Sequence, residues 1–112
     1  MRTYNFGRFS EYIAAGFLLL KGYSIVKMRY KHYTGEIDII ARKKQILVFV
    51  EVKSRKKLNN QYDVVQKRQL LRIKNAALFY LQRNRCYNKF DIRFDLIIIS
   101  DFWNLKHIKN AW

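Results

Sequence analysis

The sequence predicts an α/β domain in the order helix, three strands, helix, strand, closed by a short terminal strand. Three observations carry this reading. Apolar residues recur at helical spacing in two stretches, one near the N-terminus and one after Asp63. Between and after them lie short runs that alternate or are rich in β-branched residues, as strands are. There is no Pro, internal repeat or low-complexity tract, so residues 1–112 read as a single domain able to bury one modest core.

The first helix is expected from Gly7 to Lys21, with Phe9, Tyr12, Ile13, Gly16, Phe17 and Leu20 recurring along it. Gly22 is placed to end it in a left-handed conformation. Val26, Met28 and Tyr30 alternate with Lys27 and Arg29, the period of a half-exposed first strand. Thr34-Gly35 marks a turn, Glu36 to Ala41 a second strand, Arg42 to Gln45 a polar break and Ile46 to Lys53 a third strand. On that third strand Ile46, Val48, Val50 and Val52 form a wholly apolar face that belongs in the core. Ser54 to Tyr62 is a polar, basic loop without periodicity. Asp63 can cap a second helix with Gln66 at its third position, Leu70, Ile73, Ala77 and Leu81 turned inward and Arg68, Arg72 and Gln82 left wet. Phe90 to Ile99 makes the fourth strand and Leu105 to Ala111 the short fifth.

Composition points to the partner. The chain has 23 Lys and Arg against 8 Asp and Glu, a formal charge of +15. Such a field attracts phosphate backbones and gives salt-sensitive binding, though it would also draw acidic proteins or membrane surfaces. Eight Phe, eight Tyr and an apolar half of the chain argue for folding over disorder. Cys86 is the sole cysteine, which excludes an internal disulfide and a cysteine-based metal cluster. The longest apolar stretch, Ile13 to Leu20, is too short to span a bilayer, and Glu11 with its basic neighbours speaks against a signal peptide. A cytoplasmic protein with no membrane partner is expected.

The chemistry lies in the scarce acids. Three of the eight fall in two strand-like segments, Gly35-Glu36-Ile37-Asp38-Ile39-Ile40 and Val48-Phe49-Val50-Glu51-Val52-Lys53. Carboxylates among apolar strand residues are costly unless a cation neutralises them. If Lys44 and Gln45 are the central residues of a two-residue turn, Asp38 falls opposite Glu51 and Glu36 opposite Lys53, all on one face. Directly opposed residues have Cβ atoms roughly 4.5–5.5 Å apart, so the two acids repel unless a proton or a metal ion sits between them. A lone Glu-x-Lys is usually a solvated ion pair. The preceding Asp-bearing strand and the following helix weigh against that here.

Gly35-Glu36-Ile37-Asp38 combined with Phe49-Val50-Glu51-Val52-Lys53-Ser54-Arg55 resembles the PD-(D/E)XK nuclease superfamily. More closely, the chain resembles the YraN family of bacterial proteins, which is similar to archaeal Holliday-junction resolvases. The resemblance extends to Gly7 to Glu11, Gly22-Tyr23, Lys67, Arg93-Phe94-Asp95 and Ile108 to Trp112. Ile37 stands where the superfamily's name-giving Pro would be. The resemblance implies a restriction-endonuclease-like core, a mixed sheet flanked by helices, and catalytic residues Asp38, Glu51, Lys53 and Glu11. It further implies Mg²⁺ or Mn²⁺ held by Asp38, Glu51 and the Val52 backbone carbonyl, with Glu11 of the first helix as a further ligand. Such an ion suits phosphodiester hydrolysis, and Lys53 would position water and stabilise charge at phosphorus.

The expected nucleic-acid surface comprises Arg29, Lys31, Arg42, Lys43, Lys44, Arg55, Lys56, Lys57, Gln66 and Lys67. Gln66 and Lys67 sit near the positive end of the second helix, where a phosphate can bind, and also read as a cap and a solvated lysine. Tyr30, His32 and Tyr33 are available to stack on unpaired bases. Without a visible base-reading module, recognition of DNA structure or backbone is expected over sequence readout. Glu36 suits a pair with Lys53 or Arg55 as well as a metal, Asp95 reads as structural beside Arg93, and His32 and His107 read as isolated. The leading expectation is a metal-dependent endonuclease cutting DNA, branched or flapped forms included, and its rival a non-catalytic nucleic-acid-binding protein that retains the nuclease fold. A basic structural or RNA-associated protein is a third. A homodimer is compatible with any of them.

Overall fold

The computed structural model of the chain describes residues 3–55, 67–85, 88–100 and 104–112, with side chains from Arg8 onward. Helix α1 covers Thr3–Leu20, strands β1, β2 and β3 cover Ser24–His32, Gly35–Lys43 and Ile46–Ser54, and helix α2 covers Lys67–Arg83. Strands β4, Asp91–Ile99, and β5, Leu105–Ile108, complete the chain. The five strands form one mixed sheet in the order β1-β2-β3-β4-β5. Only the β3–β4 pair is parallel, and α2 lies between these two strands in sequence. This is the α/β element order that the apolar periodicities predict, in the mixed sheet flanked by helices that the resemblance implies. Lys56, Lys57, the Asp63 cap and Gln66 lie outside the described residues.

The helices make two cores. Ala14, Ala15 and Leu18 of α1 pack with Ile39, Ala41, Val48, Val50, Val52, Ile97 and Ile99. Ile73, Ala76, Ala77 and Leu81 of α2 pack with Ile37, Ile40, Leu47 and Phe49. Strand β3, central in the sheet, feeds both, because alternate side chains point to opposite faces.

Helix α1 buries a stripe offset from the one expected: Ile13 and Phe17 pack against the core as expected, but small residues make its centre. Ser10, Ala14, Ala15 and Leu18 are buried, whereas Phe9, Tyr12 and Leu20 are 42%, 65% and 90% exposed. Small residues let the helix backbone lie close to the sheet, and the buried Ser10 hydroxyl is satisfied by the Ser54 hydroxyl at 2.6 Å. The helix ends as expected at Gly22, with φ of 92°. Tyr23 N–H donates to the Leu18 carbonyl at 2.9 Å and Gly22 N–H to that of Leu19 at 3.0 Å, the paired bonds of a Schellman cap.

Strand β1 departs from simple alternation. Its register jumps from Ile25↔Ala41 to Lys27↔Ile40, which leaves Val26 unpaired in a bulge and exposed while Ile25 packs inward. The β2–β3 hairpin keeps the expected two-residue turn: the ladder runs from Lys43↔Ile46 to Ile39↔Val50, and Lys44 takes a φ of 55°. Gly35 serves more than the turn. A Cβ there would collide with the Arg72 carbonyl, so α2 crosses the start of β2 too closely for any side chain. Strand β5 ends at Ile108, shorter than the periodicity of Leu105 to Ala111 suggests, with Asn110 at a φ of 54° just beyond. Among the described residues, no helix is long and apolar enough to cross a membrane.

Candidate active site

The acids gather where β2 and β3 part. Their ladder stops at Ile39↔Val50, and two residues on, the Val52 N–H is taken by the Asp38 side chain, at 2.8 Å to Oδ2. A strand residue's N–H and C=O point to the same side. The Val52 carbonyl therefore faces the side from which Asp38 approaches. Strand β3 continues its pairing with β4 as far as Ser54↔Ile99, so Glu51 and Lys53 stay on a rigid strand while β2 diverges.

Asp38 and Glu51 lie close enough for each carboxyl to act on the other. Glu51 is 5% exposed, and its Oε2 lies 3.1 Å from Lys53 Nζ. The same oxygen accepts a hydrogen bond from Gln69 Nε2 of α2. Burial, then repulsion from Glu51 and the hydrogen bond to it, push the Asp38 carboxyl up to about 8, against the opposing pull of Val52 N–H and Lys53. At neutral pH the pair therefore holds a proton where a cation would otherwise neutralise it.

Glu11 reaches the other side of Asp38. It belongs to α1 and pairs with Arg29 Nε at 2.7 Å. Burial raises its pKa; the Arg29 hydrogen bond lowers it, and the nearby charges of Asp38 and Glu36 raise it further. A cavity of about 210 Å³ lies between these groups, lined by Arg8, Glu11, Arg29, Lys31, Glu36, Ile37 and Asp38. Two arms thus meet at Asp38: Glu51 with Lys53 and Gln69, and Glu11 with Arg29.

The oxygen donors suit a hard divalent cation. Two neighbouring carboxyls and an adjacent backbone carbonyl are the hard ligands that Mg²⁺ or Mn²⁺ prefers, with water completing the shell. Among the described residues no three His, Cys, Asp or Glu side chains are grouped closely enough to hold an ion by themselves. Any ion here would rest on Asp38, Glu51 and the Val52 carbonyl, with Glu11 across the cavity.

The basic residues divide. Arg29 and Lys31 line the cavity. Arg42, Lys43 and Lys44 lie at the far end of the hairpin, with Lys43 five residues from Asp38 and thus roughly 17 Å along the strand. Lys43 Nζ donates to the Lys21 carbonyl at 2.8 Å, and the Arg42 guanidinium lies over the Phe90 ring at 4.7 Å. These three are remote from the acid pair, because the surface expected from the sequence placed charges without their distances. Arg55 donates to the Ser54 carbonyl at 2.7 Å, close to Lys53 in sequence, and Lys67 is exposed on α2.

Glu36 lines the cavity, while Lys53 takes Glu51 as its partner. Asp95 is structural, as its place beside Arg93 suggests. Burial works to raise its pKa, but bonds from His107, Arg93 and the Asn110 N–H outweigh it and hold the carboxyl below its ordinary value. His107 is not isolated: Nε2 lies 2.7 Å from Asp95 Oδ2 and Nδ1 3.1 Å from Lys21 Nζ. Gln69 escaped the sequence reading altogether. Its only sequence signal was its position three residues after Gln66, one turn further along the helix that the sequence predicts.

Residues 10–99 match the model of the family described as uncharacterised protein family UPF0102. A UPF0102 protein of Mesorhizobium japonicum is 36% identical over 111 residues, covering 99% of this chain and 89% of that protein. One from Rhizobium johnstonii is 44% identical over 106 residues, covering 95% and 87%. A third, from Agrobacterium fabrum, is 43% identical over 93 residues, covering 83% and 76%. With a match spanning most of its length and relatives that align nearly end to end, the chain belongs to the UPF0102, or YraN, family.

Proposed function

We propose that this protein is a metal-dependent endonuclease of the PD-(D/E)XK type, similar to archaeal Holliday-junction resolvases, that hydrolyses phosphodiester bonds in DNA, branched or flapped forms included. The observation that carries the reading is the convergence of the neighbouring Asp38 and Glu51 carboxyls at Val52, with Lys53 Nζ 3.1 Å from Glu51, in a chain of charge +15. Acids are scarce in this chain, and bringing two together off water is costly unless a cation is meant to join them.

A bound Mg²⁺ or Mn²⁺ would supply an activated water and offset negative charge on the phosphoryl oxygens. The protein's own groups do the rest. Asp38 would hold the ion as a carboxylate, with the Val52 N–H fixing its rotamer. Gln69 holds the Glu51 carboxylate from α2. Lys53 is tethered to Glu51, so its ammonium is placed to orient the attacking water and stabilise charge at phosphorus. Arg29, fixed by Glu11, presents a cation on the cavity wall for the phosphate backbone. Work on both strands of a junction would call for two copies of the chain, and a DNA substrate for a cytoplasmic location.

The test is a cleavage assay with Mg²⁺ or Mn²⁺ over linear, single-stranded, flapped and four-way DNA. Cutting that Glu51→Ala and Lys53→Ala abolish, with the fold retained, supports the reading. A second reading has its own observation: Glu51 Oε2 already has two partners, Lys53 and Gln69, which suits a non-catalytic protein that binds nucleic acid and keeps the fold. Binding without cutting across the whole panel decides for it.

A further inference from the structure

The turn between β1 and β2 carries an aromatic column that the acid site does not use. The His32 ring stacks on Phe79 of α2, with centroids 3.7 Å apart and planes at 27°. Tyr33 lies against the same imidazole, with centroids 4.4 Å apart and a tilt of 41°. The column then stops in solvent, since Tyr33 is 89% exposed.

The column is built to hold its shape. His32 Nδ1 accepts the Thr34 N–H at 3.3 Å and lies 2.6 Å from the Thr34 hydroxyl, which fixes the imidazole plane. One residue on, Gly35 sits so close to the Arg72 carbonyl that the turn and α2 are locked together. A fully exposed Tyr on a loose loop needs no explanation. A Tyr whose ring lies against an imidazole that Phe79 and Thr34 fix offers an apolar face beside an ordered ring, which lowers the cost of ordering it on binding.

We infer that Tyr33 is a stacking platform for an unpaired nucleobase, and that it biases this protein toward DNA with single-stranded character next to the acid pair. The inference deepens the nuclease proposal and rests on it for the meaning of the acid pair. An aromatic ring continues a stack with any base, because every base has a π-face, and the base must be unpaired to offer it. Lys31, exposed two residues before Tyr33, also lines the acid cavity, so phosphates following the stacked base meet a cation on the way to Asp38. From Gly35 the strand needs three residues to reach Asp38, about 10 Å at the strand rise. That span sets the stacked base within a few nucleotides of the bond that is cut.

The test uses metal-free protein, so that binding is read without cutting. Fluorescence anisotropy would compare a flapped duplex, a single strand and a blunt duplex of one length, with 2-aminopurine in the flap to report stacking. Wild-type protein should quench the probe and favour the flap over the blunt duplex. Tyr33→Ala should lose the quench and weaken flap binding about tenfold with little change on the duplex. Tyr33→Trp should retain both. Equal weakening on all three DNAs, or an unchanged quench in Tyr33→Ala, overturns the inference. The nuclease proposal fails separately, by an inert wild type with the Tyr33 effect intact, and this inference fails separately, by cutting that ignores Tyr33.

Discussion

Ile37 and Ile39 stand two residues apart on β2 yet pack into opposite cores, Ile37 with Ile73 and Phe49 and Ile39 with Ala14 and Val50. On a regular strand they would share a face. The neighbouring strand does the same: Met28 packs against the α1 core and Tyr30 against the α2 core. Between that second pair lies Arg29 with a φ of 54°, and between the first lies Asp38. Both strands thus switch faces at the level of the acid site. This switch lets Asp38 leave the ladder, take the Val52 N–H and face Glu11 and Glu51 together.

The left-handed turn at Arg29 costs about 1–2 kcal/mol for a residue with a Cβ. Glycine would remove that cost but lose the Glu11 ion pair, which is half-exposed and worth little. Arg29→Gly should therefore leave stability close to wild type, and Arg29→Val, β-branched at a positive φ, should lower it by about 1–3 kcal/mol. Urea denaturation of the two variants reads the difference. Equal stabilities would show that the twist at Arg29 is not held against its own backbone preference.

Gly35 makes a second prediction about the fold beneath the site. A methyl group there meets backbone, the Arg72 carbonyl, which has no rotamer to move to. Gly35→Ala should cost about 1–3 kcal/mol by pushing α2 off the sheet. Because Gln69 reaches Glu51 from that helix, the same change should also weaken metal binding, measured by titration calorimetry. A Gly35→Ala protein as stable as wild type would mean that the close crossing is absent in solution.

Much of this was legible because local rules and global packing agree. Gly22 ends α1 as a left-handed glycine should, and the Lys44-Gln45 turn sets a register that brings Asp38 to Glu51. What sequence hid was decided across space. The buried stripe of α1 turns on how near the helix lies to the sheet, so Ser10 and Ala14 displace Phe9 and Tyr12, which periodicity ranks higher. Face switches at Arg29 and Asp38 break the period-two rule that strand reading depends on. Gln69 and His107 gain their roles from residues 18 and 12 positions away, at a separation no local pattern encodes.

The Asp38 carboxyl, raised to about 8 by burial and by Glu51, fixes the sign of a pH dependence. A group with a raised folded pKa contributes stability that is complete below its unfolded value, about 4 for Asp, and is lost as pH climbs through the folded one. The metal-free protein should therefore lose stability from about pH 4 to pH 8. Each unit is worth at most about 1.4 kcal/mol, and solvent reaching the half-buried Asp38 reduces that. Asp95, held low by His107 and Arg93, acts in the opposite sense and gives an acid limb, with stability lost as pH falls. Asp38→Asn should remove the alkaline decline and leave the acid limb. Urea midpoints between pH 3 and 9 measure both, and an alkaline decline that survives Asp38→Asn would assign it to another group.

Catalysis gives the sharpest test of how the site divides its work. Glu51→Ala removes a proposed metal ligand and leaves Lys53 and Gln69 without their shared partner, so on the nuclease reading cutting with Mg²⁺ should fall by about a thousandfold or more. Lys53→Ala removes the charge proposed to stabilise the reacting phosphate and should cost about 10²–10³ in rate with metal affinity nearly unchanged. Gln69→Ala touches only the orientation of Glu51, so it should cost about tenfold and be relieved in part by excess metal. The order Glu51, then Lys53, then Gln69 follows from how directly each would touch the proposed ion or the phosphate. Single-turnover cleavage of a flapped substrate, with circular dichroism to confirm the fold, measures all three. A Gln69→Ala protein as inactive as Glu51→Ala would mean that α2 supplies a group to the reaction itself, and the assignment of roles at this site would have to be redrawn around it.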